Sequence, residues 1–309
     1  MFVEEYLKDV RAAGYRRAAL VTYVRRVGGL VRAQVWNNPQ ATRSVLTVGT
    51  GLFVLHVLVS LWVSFEFGAR SAVAYLWGAG LATLGATLFC VAHLGTIRTP
   101  GGVPCARLNP ADWLTLLRLT MAPAVLAFAA SRAWGAALAW VIVGGLSDVA
   151  DGILARRLGI GTQLGRVLDP IVDIVFNVCL MVGLYRGGLL PVWVLIPVLL
   201  RYGLLVFGAF YIYVARGPVR IQPTAFGKAT GVVTFVMVGL LVLLAAHGNA
   251  SITARVGQVL ETAIGLLAAA AVVQVGVMGW YNVKLTGALA ERPRVLADVS
   301  FKPPRHREP

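Results

Sequence analysis

Four aspartates in one stretch of the chain have the residue type and the spacing for chemistry. The sequence holds seven aspartates in 309 residues, and Asp148, Asp151, Asp169 and Asp173 are four of them. Spacings of three and four residues place each pair on one face of a helix. A short antiparallel hairpin through residues 158–163 is expected to bring the two faces together.

Converging carboxylates in a partly apolar site need a cation, because their mutual repulsion and their desolvation oppose full ionisation. Oxygen-only ligands favour a hard divalent ion, Mg²⁺ or Mn²⁺, which usually accompanies phosphate or diphosphate chemistry. Gly152 and Gly165 suit that chemistry, since a missing side chain lets a nucleotide or a helix approach closely. The alternative is a set of helix-end acids paired with Arg156, Arg157 and Arg166.

The composition indicates that a membrane surrounds these acids. Hydrophobic residues make up 58 % of the chain and charged residues 13 %, against about 25 % charged residues in an ordinary soluble domain. This balance excludes a disordered chain, a disulfide scaffold and a cytosolic enzyme. The three cysteines are too scattered for a metal site or a disulfide framework, and we interpret them as packing residues.

Eight apolar stretches are long enough to cross a membrane, which takes roughly 20 helical residues each. The predicted spans are about 45–66, 71–96, 113–130, 133–154, 167–185, 190–214, 229–246 and 259–283. The connections are mostly short, so neighbouring helices should be antiparallel. The predicted fold class is an all-α polytopic membrane helix bundle.

The distribution of basic residues predicts the orientation of this bundle, since Lys and Arg are retained on the cytoplasmic side. Of the 28 basic residues, 22 fall in residues 1–44, in alternate loops and in the tail from Lys284, and four fall on the other face. We expect both termini in the cytoplasm and the protein in the inner (plasma) membrane of the cell. The net charge of +15 then needs no nucleic-acid partner.

The complete acidic motif is Asp-x₂-Asp-Gly-x₂-Ala-Arg-x₈-Gly-x₃-Asp-x₃-Asp, and it resembles that of the CDP-alcohol phosphatidyltransferase family. Its eight fixed positions are Asp148, Asp151, Gly152, Ala155, Arg156, Gly165, Asp169 and Asp173. The resemblance implies a membrane enzyme of phospholipid synthesis. Such an enzyme transfers a phosphatidyl group from CDP-diacylglycerol to an alcohol, releases CMP and depends on Mg²⁺ or Mn²⁺.

The resemblance also implies roles for individual residues. The four aspartates would hold one or two ions, and Asp173 would also be the general base on the acceptor hydroxyl. The donor nucleotide would be bound by the following set: Gly152, Ala155, Arg156, Gly165, Asn109 and Thr115. The last two lie in a stretch similar to the helix that precedes the family motif, where Arg118 would position a carboxylate or phosphate. A helix-start Asn with an interfacial Trp113 is the alternative explanation of that stretch.

The acceptor is expected to meet cations on the same face of the membrane, namely Arg201, Arg216, Arg220 and Lys228. The order Pro-Thr-x-x-Gly-Lys at residues 223–228 resembles members that use glycerol 3-phosphate or phosphatidylglycerol, so the expected subfamily is phosphatidylglycerophosphate synthase or cardiolipin synthase. Ile174 in place of a Lys, and the absence of Gln from residues 231–236, leave serine and inositol phosphate open. Positive-inside charge alone would also explain a basic loop here.

The chain is therefore divided into four parts. Residues 1–44 form a basic amphipathic extension, either on the lipid surface or in solvent; residues 45–97 form two additional transmembrane helices; residues 108–283 form a six-helix catalytic domain; and residues 284–309 form a disordered cytoplasmic tail. Three roles of the additional helices and the basic extension stay open: stabilising a homodimer, gating lipid access and recruiting a partner. Two other functions stay open: an intramembrane prenyltransferase, and a non-catalytic membrane protein that binds metal.

Overall fold

The computed structural model describes residues 2–216, 225–248 and 250–290. Within these ranges the chain forms eleven α-helices, in this order: α1 Phe2–Ala12, α2 Arg17–Asn37, α3 Pro39–Phe67, α4 Ala69–Ala92, α5 Pro110–Ala130, α6 Trp134–Leu158, α7 Gln163–Arg186, α8 Val192–Gly203, α9 Ala209–Arg216, α10 Ala225–His247 and α11 Ala250–Ala290. A π-helical segment, Leu204–Gly208, joins α8 to α9 without a break.

The part of the chain that the structure describes contains eight helical segments long and apolar enough to cross a membrane. They are α3 to α7, the continuous run Val192–Val214, α10, and Ala254–Tyr281 within α11. The predicted all-α polytopic membrane bundle is thus confirmed. Several helices begin before the predicted span, because polar capping residues extend the helix beyond its apolar run; α7, for example, starts at Gln163 after the Thr162 cap.

Helix α5 lies at the centre of the bundle and packs against α4, α6 and α7. Its contact with α7 is close because Gly183 has no side chain: a Cβ there would lie 2.9 Å from the Leu126 carbonyl oxygen. Small residues allow this kind of backbone approach between membrane helices. Further along, α10 packs against α6 and α11, and α11 against α8, so the last five spans curve around one side of α5.

The hairpin between α6 and α7 is as short as predicted, but the backbones of its two helices do not pack closely along each other. Gly159, at φ +63°, ends α6 in the left-handed conformation that favours glycine, and the Thr162 hydroxyl caps α7 by accepting from the Gly165 amide at 2.9 Å. Helix α5 packs along both α6 and α7, which have little backbone contact with each other. The acidic faces therefore meet across α5.

The additional helices α3 and α4 pack as a pair on α5. The buried imidazole of His56 on α3 lies 2.6 Å from the Tyr75 hydroxyl on α4, and Tyr75 stacks near Phe128 of α5. The linker after α4 then reaches the α6–α7 hairpin, where the first amide of α7, that of Gln163, donates to the Arg98 carbonyl at 2.8 Å. Residues before the six-helix region thus help to fix the start of α7.

Candidate active site

The guanidinium of Arg118 lies among three of the four predicted aspartates. Its Nη1 lies 2.5 Å from Asp148 Oδ1 and 3.5 Å from Asp151 Oδ2, and its Nη2 lies 3.1 Å from Asp173 Oδ1. The Arg118 side chain is only 3 % exposed, whereas those of Asp148 and Asp173 are 57 % and 53 % exposed. A cation fixed by α5 therefore joins the acids of α6 and α7 and offsets part of their repulsion.

Thr115, one turn before Arg118, connects the two more buried carboxylates. Its hydroxyl oxygen lies 3.3 Å from Asp151 Oδ2 and 3.2 Å from Asp169 Oδ1. A hydroxyl has one proton, so it can donate to only one of these acids at a time. Thr115 and Arg118 together place α5 between the acidic faces, and all four predicted aspartates contact one or the other.

Asp112 is a site residue that the sequence interpretation missed. It is 2 % exposed, its Oδ1 accepts from the Thr162 hydroxyl at 2.8 Å, and it shares a capping box with Asn109 at the start of α5. The Asn109 side-chain amide also donates to the Ile160 carbonyl in the hairpin loop. This network ties the start of α5 to the start of α7. The Asn-Pro-x-Asp order of a capped helix was the available signal.

Gly165 lies where this network is most crowded, and replacing it with alanine tests the packing. A Cβ there would lie 2.8 Å from Asp112 Oδ1 and 3.4 Å from Thr162 Oγ1. We expect Gly165→Ala to lower the thermal unfolding midpoint in detergent, since overpacking costs about 1–3 kcal/mol. The control is Gly161→Ala in the loop just before α7, where the nearest atom is the Ala155 methyl at 4.0 Å. Equal losses from both variants would contradict this explanation.

A cleft of about 2000 Å³ opens beside the acids. Asp148, Asp173 and Arg118 line it at one side of the bundle, and its walls are formed by α6, the run from α8 to α9, α10 and α11. Most of the lining is aliphatic, and side chains such as Leu146 and Val236 in this lining are largely exposed. The cleft thus combines a charged end with an apolar wall.

The residues predicted to bind the nucleotide have different surroundings. Arg156 lines the cleft and folds over Gly152, where a Cβ would lie 3.3 Å from Arg156 Nη1. Asn109 and Thr115 are held by contacts within the protein, and Gly165 by the packing of α7 against α5. Ala155 lies in the last turns of α6. Their contacts with a nucleotide stay predictions.

The predicted acceptor cations are only partly described. Arg201 and Lys228 both line the cleft. Arg201 Nη2 donates to the Gly227 carbonyl at 3.4 Å, and its buried Nε has no hydrogen-bond partner among the described residues. Arg216 ends α9, but its side chain and the whole of Arg220 lie outside the described residues. Two of the four cations are therefore brought to the same cleft as the acids.

The donor set around Arg118 suits a hard cation in chemical type. It consists of four carboxylates and the Thr115 hydroxyl, all oxygen ligands of the kind that Mg²⁺ and Mn²⁺ prefer. Among the described residues, no group of three or more acidic, His or Cys side chains is arranged so that it could hold a metal ion. Arg118 lies between the carboxylates instead, so the predicted metal ligands stay predictions.

The comparisons with known proteins agree with the motif. A family model described as CDP-alcohol phosphatidyltransferase matches residues 108–281, more than half of the chain. The chain belongs to this family. The match begins just before the capped start of α5 and ends in α11, so it contains every described residue of the candidate site. Helices α1 to α4 of this CDP-alcohol phosphatidyltransferase lie outside it.

Named relatives point to two related activities. A Mycobacterium tuberculosis protein named "Putative cardiolipin synthase" is 34 % identical over 125 residues, which cover 40 % of this chain and 58 % of the relative. A "Probable phosphatidylglycerophosphate synthase" of the same organism is 37 % identical over 142 residues, covering 44 % and 66 %. The chain thus spans less than two thirds of either relative.

A third relative is the Aquifex aeolicus "CDP-diacylglycerol--glycerol-3-phosphate 3-phosphatidyltransferase". It is 36 % identical over 70 residues, which cover 23 % of this chain and 39 % of the relative. No solved structure matches the chain.

Proposed function

We propose that this membrane protein transfers the phosphatidyl group of CDP-diacylglycerol to glycerol 3-phosphate and releases CMP. The observation that carries the proposal is the cleft, in which carboxylates of the family motif, two further cations and a long apolar wall face one space. The cytidine diphosphate would lie at the charged end and the acyl chains along the aliphatic wall. The names of the phosphatidylglycerophosphate synthase and glycerol-3-phosphate relatives support the choice of acceptor.

The reaction needs one bond formed and one broken at the phosphorus that stays with the lipid. The acceptor hydroxyl oxygen would attack this phosphorus, and the bond to the oxygen of CMP would break, with CMP taking the electron pair. Asp173 would accept the hydroxyl proton, because its half-exposed carboxylate lines the cleft one helical turn from Asp169. Arg118 would hold Asp173 in place through their ion pair.

Asp148, Asp151 and Asp169 would hold one or two divalent ions, with Asp173 completing the set. A bound Mg²⁺ or Mn²⁺ would supply charge neutralisation on the diphosphate and on the leaving CMP. Arg156 would contact the nucleotide phosphates from the rim of the cleft. Thr115, whose hydroxyl lies within hydrogen-bonding distance of both, would hold the Asp151 and Asp169 carboxylates near each other.

Arg201 and Lys228 would bind the phosphate of the acceptor. Arg201 has a buried Nε without a hydrogen-bond partner among the described residues, and a guanidinium suits bidentate binding of phosphate. Arg216 and Arg220 would extend this cationic set. Phosphatidylglycerol is the second candidate acceptor, favoured by the relatives named as cardiolipin synthases. Serine and inositol phosphate remain as further acceptors to be assayed.

The charge distribution supports a location and a topology for this reaction. With 22 of the 28 basic residues on one face, both termini and the charged end of the cleft would lie in the cytoplasm, in the inner (plasma) membrane. Water-soluble acceptors and CMP would then exchange on the cytoplasmic side. The expected homodimer, the extension over residues 1–44 and the tail over residues 284–309 stay predictions.

The proposal is tested with the purified full chain in detergent micelles containing CDP-diacylglycerol and Mn²⁺. Glycerol 3-phosphate, phosphatidylglycerol, serine and inositol phosphate are supplied separately, CMP is quantified, and the lipid product is identified by mass. We expect CMP and phosphatidylglycerophosphate from glycerol 3-phosphate. CMP only with another acceptor would reassign the substrate, and no CMP with any acceptor would refute the transferase.

Removal of divalent ions should abolish CMP release, and Mg²⁺ or Mn²⁺ should restore it, because the four carboxylates otherwise repel the donor diphosphate. The paired variant Asp148→Asn with Asp151→Asn should weaken Mn²⁺ binding, measured directly by electron paramagnetic resonance, by at least tenfold. Glu66→Gln, an exposed acid at the end of α3, is the control. Unchanged Mn²⁺ binding in the paired variant would contradict the assigned ligands.

A further inference from the structure

The N-terminal helix contacts the end of the sixth membrane span, some 200 residues away in sequence. Arg11 Nε donates to the Val214 carbonyl at 2.7 Å, and Arg11 Nη2 donates to the Tyr213 carbonyl. The Tyr15 hydroxyl donates to the same Val214 carbonyl at 2.6 Å. Both carbonyls belong to the last four residues of α9, Ala209–Arg216, and such groups have no partner within their own helix.

These contacts give the last carbonyls of α9 both hydrogen-bond donors and a nearby positive charge. A cation at a helix C-terminus also interacts favourably with the helix dipole, and the Arg11 guanidinium lies 5.9 Å from the centre of the Tyr213 ring. Partial burial, together with the nearby Tyr213 phenol, raises the pKa of the Tyr23 phenol on α2. Both N-terminal helices therefore lie close to the end of α9.

The turn between α1 and α2 is built so that Tyr15 reaches this position. Gly14 and Tyr15 have φ of +61° and +58°, a left-handed conformation that is uncommon for a tyrosine and that surrounding contacts must maintain. Arg26 on α2 pairs with Asp9 on α1 at 2.9 Å and lies over the Tyr6 ring, which holds the two helices together. Val10, between these contacts, is 1 % exposed.

The far side of α9 belongs to the cleft. Ala209 and Ile212 line it, and Ile212 directly precedes the capped Tyr213. Two cations of the proposed acceptor set lie on either side of α9 in sequence: Arg201 before the π-helical segment and Lys228 in α10. Whatever holds the end of α9 therefore sets the position of one wall of the proposed acceptor site.

We propose that Arg11 and Tyr15 are positioning residues for the acceptor. Through these two residues α1 acts as a clasp: it fixes the end of α9 and, with it, the wall of the cleft near Arg201 and Lys228. The inference rests on the proposed function, and it assigns a catalytic consequence to a segment outside the family match. The clasp does not touch the acids at Arg118, so the donor and the proton transfer are unaffected by it.

The test compares three variants: a combined variant with Arg11→Gln and Tyr15→Phe, the single variant Arg11→Lys, and a control. The control is Arg25→Gln, which changes an exposed cation of the same extension. The combined variant should raise the KM for glycerol 3-phosphate about tenfold, with kcat and the KM for CDP-diacylglycerol within twofold of the unaltered protein. Arg11→Lys should recover part of the loss, and Arg25→Gln should change nothing. Hydrogen exchange of residues 209–216, followed by mass spectrometry, should become faster in the combined variant.

The outcomes separate the clasp from the proposed function. Faster hydrogen exchange of residues 209–216 with an unchanged KM for the acceptor would show that the clasp is only a structural contact, and would overturn the proposal. Unchanged hydrogen exchange in the combined variant would also overturn it. Equal rises in the KM of donor and acceptor would do the same, because the effect would then be general. If the unaltered protein forms no CMP with any acceptor, the proposed function and the positioning role fail together, while the exchange data still report the contact itself.

Discussion

Asp173→Asn should lower the kcat of CMP release by about 10²–10⁴-fold, the contribution of a well-placed general base. Asn has nearly the same shape but cannot accept the hydroxyl proton. Asp148 remains 2.5 Å from Arg118, so the buried guanidinium keeps an anionic partner and the bundle should stay folded. The measurement is CMP release under saturating donor and acceptor, together with the thermal unfolding midpoint in detergent.

Two comparisons show whether the loss belongs to the base. Glu66→Gln, the same chemical change at an exposed position, should leave kcat unchanged. Asp148→Asn should recover activity as the Mn²⁺ concentration is raised, because more Mn²⁺ compensates for the lower affinity of the metal site. Asp173→Asn should not recover, because added Mn²⁺ does not replace a base. Activity of Asp173→Asn within a few-fold of the unaltered protein would rule out this residue as the base.

Arg118→Gln should have the second large effect, and it should act on both stability and activity. The change leaves Asp148, Asp151 and Asp173 without their shared cation, and breaking a buried pair by removing one partner costs about 3–5 kcal/mol. The loss should fall at the lower end of that range, because two of the three carboxylates are half exposed to the cleft. CMP release should fall at least about 100-fold, as for removal of one preorganised electrostatic group.

Divalent ions distinguish electrostatic loss from simple misfolding in this variant. If the acids of Arg118→Gln repel one another, Mn²⁺ should raise its thermal midpoint by more than it raises that of the unaltered protein. Arg118→Lys keeps the positive charge but has a single nitrogen in place of the two that contact Asp148 and Asp173. Compared with Arg118→Gln, it should therefore recover stability better than activity. A Mn²⁺ response equal to that of the unaltered protein would contradict the role assigned to Arg118.

Local sequence was sufficient to predict the spans and the acidic pairs. The length of an apolar run decides whether a helix crosses a membrane, and helical periodicity decides that Asp148 and Asp151, or Asp169 and Asp173, share a face. Both are properties of neighbouring residues. The same is true of the hairpin, which the short segment after Leu158 allowed and the structure confirms.

The contacts missing from the sequence interpretation all join distant parts of the chain. Nothing near Asp112 indicated that Thr162, 50 residues later, would donate to it. The packing of α5 against both α6 and α7 depends on contacts between residues far apart in sequence, such as the close approach of Gly183 to Leu126. The hydrogen bond from Arg11 to the Val214 carbonyl depends on where the end of the sixth span lies in the folded chain. The spacing of apolar residues along the sequence does not predict that position.

The apolar wall of the cleft has a kinetic consequence. Leu146, Val232 and Val236 line the cleft and are exposed, so the proposed donor lipid would be able to enter sideways without leaving the bilayer. Its encounter rate then depends on its mole fraction in the two-dimensional membrane and not on its amount per volume of solution. A cell that dilutes the donor among other lipids would slow this protein even with the total amount of donor unchanged.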